Sequence, residues 1–200
     1  MRGMIVCIAL SLAACAKKPE KVVVPDVYRV NFETSQGNFV VEVTRAWAPR
    51  GADRFHELVQ VGYFNEGRFF RVVSGFIAQF GVHRKYEVHA TWRQLMILDD
   101  PPKGKNMRGT LAFAQSGPNT RATEVFINLA DNTRLDEEGF VPFGKVVEGM
   151  DTVDKLYSGY GDMRPQGKEI DAGRVEESAN DYLVPRFPKM DYIKRARFLP

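Results

Sequence analysis

The stretch that decides the fold is FFRVVSGFIAQF, residues 69–80, which is dominated by aromatic and aliphatic side chains. Such a composition predicts a strand, because β-branched and aromatic residues favour extended backbone. Arg71 and Gln79 are its long polar side chains. Taken alone, an arginine in a strand is usually the surface partner of a carboxylate, and aromatic residues of this kind usually fill a core. The stretch therefore predicts a strand that carries one cation.

Upstream of this strand, the sequence predicts a β-hairpin and then a helix. Apolar and polar residues alternate over 28–33, the turn residues SQGN follow at 35–38, and the alternation resumes over 39–43. Pro49 is expected to open a helix that reaches about Val61, since proline is favoured at the first helical position.

Downstream of the strand, residues 82–108 are polar and charged, contain Pro101-Pro102, and predict a long loop. Short strands are expected at 110–115, 124–129 and 141–147. A brief helix is expected at 150–157, a glycine-rich loop at 159–167 and a basic-aromatic tail from 182 onward. Short strands with two helices, without βαβ alternation, favour a mainly β fold in which the strands close into a barrel.

Composition excludes several function classes. The chain has 200 residues, 44% of them hydrophobic, which suits a single domain with its own core. A net charge of +3 is too small for a dedicated nucleic-acid binder. His83, Glu87 and His89 do not have the spacing of a metal site and are interpreted as residues of an exposed loop. The adjacent carboxylates Asp99 and Asp100 are interpreted as solvated. No nucleotide or nucleophile motif is present, so we expect no metal and no cofactor.

Three blocks in order carry a family resemblance. They are residues 69–79, residues 109–128 (GTLAFAQSGPNT continuing to EVFIN), and residues 135–150 (LD, then FVPFGKVVEGM). Together they resemble the cyclophilin-type peptidyl-prolyl cis–trans isomerases over roughly residues 28–160. The resemblance implies a closed eight-stranded antiparallel β-barrel capped by two α-helices.

The same resemblance implies a site. Arg71 and Gln79 would be the catalytic residues, with Gln79 hydrogen-bonding the substrate carbonyl beside the reacting bond. A pocket for the proline ring and its flanking backbone would be formed by Phe76, Ile77, Ala114, Gln115, Phe126, Leu135 and Phe140. The sequence departs from the family pattern at Glu124, where a glutamine is usual, and at Phe70 and Phe140, where histidines are usual. Arg134 precedes Leu135 where many eukaryotic members have a tryptophan. These changes bear on substrate preference.

The N-terminus predicts export and lipid attachment. Arg2, a short apolar run and small residues form the parts of a signal peptide over 1–14. The tetrad LAAC ending at Cys15 resembles a bacterial lipobox, in which the cysteine is lipidated. Residues 16–200 contain no cysteine, so no disulfide supports the fold. Residues 15–27 are then a lipidated tether, and 28–200 the isomerase domain, with an extension from about 182.

The expected function is prolyl isomerisation during folding of extracytoplasmic proteins, by a monomer anchored in the bacterial cell envelope, on the periplasmic face of the outer membrane. Its partners would be proline-containing unfolded or folding proteins and, through the lipid, the membrane. Two alternatives stay open from the sequence: a non-catalytic module that binds proline-containing segments, and an envelope assembly lipoprotein.

Overall fold

A computed structural model describes residues 23–167 and 169–200. The predicted signal peptide, Cys15 and most of the predicted tether lie outside these residues. Eight antiparallel strands form one curled sheet in the order β3-β4-β6-β5-β7-β2-β1-β8. The strands are β1 Val27–Thr34, β2 Gly37–Thr44, β3 Arg71–Val73, β4 Ile77–Phe80, β5 Thr110–Phe113, β6 Val125–Asn128, β7 Pro142–Glu148 and β8 Ile193–Phe198.

Five helices accompany the sheet in the described part of the chain: α1 Pro49–Gln60, α2 Tyr86–Trp92, α3 Arg134–Glu137, α4 Met150–Asp154 and α5 Ala172–Arg186. The two predicted helices, α1 and α4, are confirmed, and the mainly β antiparallel fold is confirmed with them. The prediction of a long loop over 82–108 is wrong in part, because residues 86–92 form α2. Among the described residues, no helix has both the length and the apolar character needed to cross a bilayer.

The edges of the sheet meet in a short seam. The N–H groups of Glu66 and Phe69 donate to the carbonyls of Ile193 and Asp191 over 2.7 and 3.0 Å, and the Ile193 N–H donates to the Gly67 carbonyl over 2.9 Å. This seam lies immediately before β3 on one side and around the start of β8 on the other. It joins the two edges with backbone hydrogen bonds, in place of a full ladder between β3 and β8.

The barrel interior is filled by aromatic side chains. Phe32 stacks on Phe39 with ring centroids 4.9 Å apart, and Phe55 of α1 lies 4.9 Å from Phe143 of β7. The helix α1 reaches this core because its Ala52, Phe55 and Leu58 share one buried face. All these side chains are fully or nearly fully buried. The large aromatic content of the sequence thus forms the core of the barrel.

The segment between α4 and β8, described over residues 155–167 and 169–192, is called here the α4–β8 segment, and apart from Leu156, which joins the barrel core, its buried apolar side chains form a separate cluster. Its buried side chains enclose Phe70 and Val82 in a second apolar cluster, which contains Ile170, Val175, Ala179, Tyr182, Leu183, Phe187 and Met190. Phe70 therefore has a packing role in this chain. The residues predicted as an extension from about 182 form the end of α5 and the strand β8.

Two sequence-based interpretations are wrong on burial. His89 is 1% exposed on α2, although the sequence placed it in an exposed loop. Asp100 is 4% exposed, although its place in an adjacent carboxylate pair predicts a solvated side chain. Its carboxylate accepts hydrogen bonds from the N–H groups of Arg50 and Gly51 and from the Arg121 guanidinium. Both are polar groups that a buried network satisfies, and a single sequence offers no local signal for such a network.

Candidate active site

The hairpin β3–β4 places the two predicted catalytic side chains opposite each other. The single strand predicted over 69–80 is in fact two strands, because Gly75 takes a left-handed φ of 69° and the Phe76 N–H donates back to the Val73 carbonyl over 2.9 Å. In the resulting register Arg71 is paired with Gln79. The Arg71 Nη1 donates to Gln79 Oε1 over 3.2 Å.

An apolar floor lies beside this pair. Ile77, Phe126 and Leu135 are buried and pack into one cluster with Ala112. Phe76, Ala114 and Phe140 are partly buried against that cluster. The Phe126 and Phe140 rings meet edge to face at 5.6 Å. Four separate elements, β4, β5, β6 and α3, bring the buried residues of this cluster together.

All nine predicted site residues line one cavity of about 820 Å³. The structure therefore brings together Arg71 and Gln79 with Phe76, Ile77, Ala114, Gln115, Phe126, Leu135 and Phe140, while their individual roles stay predictions. The N–H of Ala114 donates to the Glu124 carbonyl over 2.9 Å and is not available to a substrate. The Gln115 Nε2 donates to the Glu138 carbonyl over 3.2 Å.

A carboxylate that the sequence did not point to holds Arg71. The Asp162 carboxylate accepts from Arg71 Nε over 2.6 Å and from Nη2 over 3.2 Å. The two side chains are 22% and 23% exposed, so the pair lies at the cavity wall. Asp162 belongs to the α4–β8 segment and lies 91 residues from Arg71 in the chain. No local motif could have connected the two.

A pair of carboxyl groups lies on the other side of Gln79. The Gln79 Nε2 donates to Glu124 Oε2 over 2.7 Å, and Glu124 is hydrogen-bonded to Glu176 of α5. Because a guanidinium can only donate, Gln79 must turn its oxygen to Arg71 and its nitrogen to Glu124. The side chains thus form a continuous chain from Arg71 through Gln79 and Glu124 to Glu176.

The two carboxyl groups of this pair have opposite pKa shifts. Burial raises the pKa of Glu124 well above its usual range, and the hydrogen bond and charge of Glu176 raise that pKa further. Burial also tends to raise the pKa of Glu176. Hydrogen bonds to His89 and Glu124, and the charges of His89 and Arg93, outweigh that burial and lower the pKa of Glu176 to about 2. At pH values above the lowered pKa of Glu176 and below the raised pKa of Glu124, the two carboxyl groups therefore hold one proton between them.

Helix α2 completes this side of the cavity. His89 Nε2 lies 3.0 Å from a Glu176 oxygen, and its Nδ1 lies 3.0 Å from the buried Tyr63 hydroxyl. Arg93 Nη1 lies 3.1 Å from Glu176. The sequence missed Glu176, His89 and Arg93 as site residues, because each comes from a stretch without a family motif. Within residues 23–167 and 169–200, no group of three or more His, Cys, Asp or Glu side chains is arranged to hold a metal ion.

Comparisons with known proteins agree with this geometry. The family model for cyclophilin type peptidyl-prolyl cis-trans isomerase/CLD matches residues 29–175. The chain is 35% identical over 136 residues to a peptidyl-prolyl cis-trans isomerase of Acinetobacter baylyi. This match covers 64% of this chain and 70% of the relative. It is 32% identical over 136 residues to peptidyl-prolyl cis-trans isomerase B of Escherichia coli, with 64% and 82% covered.

A solved structure shares the fold. The crystal structure of a cyclophilin type peptidyl-prolyl cis-trans isomerase of Cryptosporidium parvum superposes with a TM-score of 0.62 at 21% identity, covering 87% of this chain and 98% of the other. A second structure, of the same parasite isomerase in the presence of the dipeptide Ala-Pro, superposes with a TM-score of 0.59. From the family match and these relatives we conclude that the chain belongs to the cyclophilin-type peptidyl-prolyl cis–trans isomerases and is an enzyme of that activity.

Proposed function

We propose that Arg71 drives the isomerisation by stabilising the twisted X–Pro amide, and that the substrates are extracytoplasmic proteins in the course of folding. The observation that carries the first part is the position of the Arg71 guanidinium. It borders an apolar pocket floored by Phe126 and Leu135, and its Cζ lies 5.8 Å from the Phe76 ring centroid.

The chemistry follows from amide resonance. The barrier to rotation is about 18–20 kcal/mol, and twisting the bond leaves a lone pair on the prolyl nitrogen. A guanidinium close to that nitrogen favours the twisted state over the planar one, so it binds the transition state better than the substrate. A hundred-thousand-fold acceleration needs about 7 kcal/mol. One charged hydrogen bond contributes about 1.5–3 kcal/mol, so the pocket must contribute by positioning the proline.

The substrate is a proline-containing segment in extended form. A proline ring has no N–H to satisfy and suits the apolar floor at Phe126, while polar groups at Gln79 and Gln115 suit the peptide groups that flank it. The parasite structure determined in the presence of Ala-Pro supports a dipeptide-sized recognition unit here. Uncatalysed isomerisation takes tens of seconds or more, so newly exported chains that contain proline are clients whose folding this enzyme would accelerate.

The mechanism is tested with Arg71→Ala in the full chain, using NMR exchange on a peptide that contains Ala-Pro. We expect kcat/KM to fall by about 10²–10³, as for loss of one transition-state donor. Arg29→Ala is the matched control, since Arg29 of β1 is 51% exposed and paired with Glu42 of β2. Undiminished turnover in Arg71→Ala would refute the role of Arg71. Retained peptide binding without any turnover in the wild type would favour the binding-module alternative.

We propose in addition that acyl chains on Cys15 anchor the enzyme in the bacterial envelope, on the periplasmic face of the outer membrane. The support is the LAAC tetrad, since each buried methylene contributes about 0.8 kcal/mol and several chains act together. Metabolic labelling with palmitate tests it. The wild type and Cys7→Ser should take up label and Cys15→Ser should not, because only Cys15 ends the tetrad. Label in Cys15→Ser would refute the anchor, and fractionation of inner and outer membranes tests the address.

A further inference from the structure

The contact between Asp162 and Arg71 has the geometry of a positioning interaction. Two parallel N–H···O bonds, from Nε and from Nη2, join the guanidinium to one carboxylate. This bidentate arrangement fixes the plane of the guanidinium as well as its location, and such charge-assisted pairs are the strong ones. A single hydrogen bond from a flexible side chain would not fix the plane.

Asp162 is itself held in place. Its Oδ1 accepts from the Met163 N–H over 2.7 Å. The turn that carries it is closed by backbone bonds from Gly167 N–H to the Met163 carbonyl (2.7 Å) and from Arg164 N–H to the Ile170 carbonyl (2.8 Å). Ile170 is buried in the second apolar cluster, and Met163 packs against that cluster. The carboxylate therefore has a packed support and does not reach Arg71 from a free loop.

The remaining donors of Arg71 decide whether Asp162 assists or obstructs. A guanidinium carries five N–H donors. Asp162 accepts from two of them and Gln79 Oε1 from one. One N–H on Nη1 and one on Nη2 are left without a partner among the described residues. The cavity that Arg71 borders still measures about 820 Å³ with Asp162 in its wall. Both donors and space thus remain for a substrate.

We propose that Asp162 is a positioning residue of this enzyme, which fixes the Arg71 guanidinium from the side opposite Gln79 so that its two remaining Nη donors serve the substrate. The inference rests on the proposed catalytic role of Arg71. It assigns to the α4–β8 segment, whose apolar cluster is separate from the barrel core, a direct part in turnover. It also accounts for the burial of Phe70 beside Arg71, since that side chain anchors the segment that carries Asp162.

The test is Asp162→Asn in the full chain, with kcat and KM measured separately by NMR exchange on the Ala-Pro peptide. The amide keeps the size of the carboxylate but has one acceptor oxygen, and its NH₂ faces a guanidinium N–H. We expect kcat to fall at least about tenfold while KM changes less than about twofold, because orientation is lost and the pocket is kept. Asp162→Glu should recover part of kcat. Asp181→Asn, at an exposed position of α5, is the matched control and should change neither constant.

Two further readouts make the outcome decisive. In ¹⁵N-resolved NMR of arginine side chains, the wild type should show a slowly rotating Arg71 guanidinium with separate Nη signals, which Asp162→Asn should average even if activity is unaffected. In the Arg71→Ala background, Asp162→Asn should have no additional effect on kcat. If Arg71→Ala alone keeps its activity, the catalytic role of Arg71 fails, whatever the NMR shows. If Arg71→Ala is impaired but Asp162→Asn has unchanged or increased kcat, the positioning role is overturned, and an increase would identify Asp162 as a competitor of the substrate.

Discussion

Gln79 links the Arg71 guanidinium to a partly buried carboxyl pair, Glu124 and Glu176, so protonation of that pair reaches the centre of the site. The Glu124 position, where a glutamine is usual in the family, is the source of this property. A glutamine there would hydrogen-bond without a proton to lose. With glutamate, Glu124 and Glu176 hold one proton between them while His89 and Arg93 stabilise the ionised partner. The network is satisfied only in that state.

We predict that stability falls as the pH rises above about 4.5, the ordinary pKa of glutamate. The pKa of Glu124 is raised in the folded state, so the folded protein binds more protons than the unfolded chain, and this stabilisation is lost as pH climbs toward the folded value. The slope reaches at most about 1.4 kcal/mol per pH unit for one proton. Glu124→Gln should flatten the pH dependence of the urea unfolding free energy between pH 5 and 8, whereas the exposed Glu148→Gln should not. Equal slopes in all three proteins would contradict the assignment.

The opposite sign applies to Glu176 in acid. Its pKa is lowered to about 2, so it contributes stability above its unfolded value of about 4.5 and loses that contribution as pH falls from about 4.5 to about 2. Glu176→Gln should therefore resist acid better, relative to its own stability at pH 5, than the wild type does. Urea unfolding at pH 3 and pH 5 measures the difference. A wild-type loss that Glu176→Gln reproduces in full would show that other groups cause it.

At the scale of elements, a glycine precedes β4 and another follows it, and the two differ in how closely other backbone approaches them. Gly81 has a φ of 112°, and a Cβ there would lie 2.3 Å from the Thr123 carbonyl oxygen. Gly75 has a φ of 69° and nothing within 4 Å of such a Cβ. The close approach at Gly81 is what brings the start of β6, and with it Glu124, next to Gln79.

We predict that Gly81→Ala destabilises the protein by about 3 kcal/mol, because the backbone of two strands must separate. Gly75→Ala should cost only about 1 kcal/mol, the left-handed backbone penalty of an L-residue. Urea unfolding of both variants checks the difference. Equal losses would mean that β4 and the segment before β6 can move apart freely. Gly81→Ala should also lower isomerase activity through Glu124 and Gln79, while Gly75→Ala should keep more of it.

What the sequence predicts at this scale depends on local signals. The hairpin β1–β2 follows from period-two alternation around a turn, and α1 from Pro49 with an apolar face, so both are confirmed closely. Helix α2 lacks a side-chain cap and has only seven residues, and α5 contains Pro185 and breaks at Ala179, whose φ is 46°. Helix α5 does begin at an N-cap, Asp171, whose side chain accepts from the Arg174 N–H, but neither helix has a sustained apolar period or a clear stop. The pocket residues were predictable because three ordered motifs carry them, whereas Asp162 and Glu176 reach the site only through tertiary packing.

At the scale of the whole molecule, the C-terminal residues belong to the framework. Beyond Asp181, the side chains of Leu183, Phe187, Met190 and Ile193 are buried, and β8 pairs with β1. Burying side chains of this size contributes roughly 1.5–3 kcal/mol each, so four contribute roughly 6–12 kcal/mol. This is comparable with the 5–15 kcal/mol by which a domain is stable.

We therefore predict that a chain ending at Asp181 does not fold cooperatively. Thermal unfolding followed by near-ultraviolet circular dichroism should show no transition, while a chain ending at Phe198 should unfold like the full chain. A sharp transition in the shorter chain would show that the tail is dispensable. If the prediction holds, deleting the tail cannot separate isomerase activity from any assembly role, and point substitutions on the exposed face of β8 are needed instead.

The seam between residues 66–69 and 191–193 has a consequence for the order of events during synthesis. Strand β1 is among the first parts of the domain to be made, yet its outer neighbour β8 is the last. Until β8 has been synthesised, the edge of β1 away from β2 presents an unpaired row of backbone donors and acceptors, the kind of edge that recruits other chains. The barrel of this isomerase therefore closes late in its own synthesis, because its folding waits on the residues of β8.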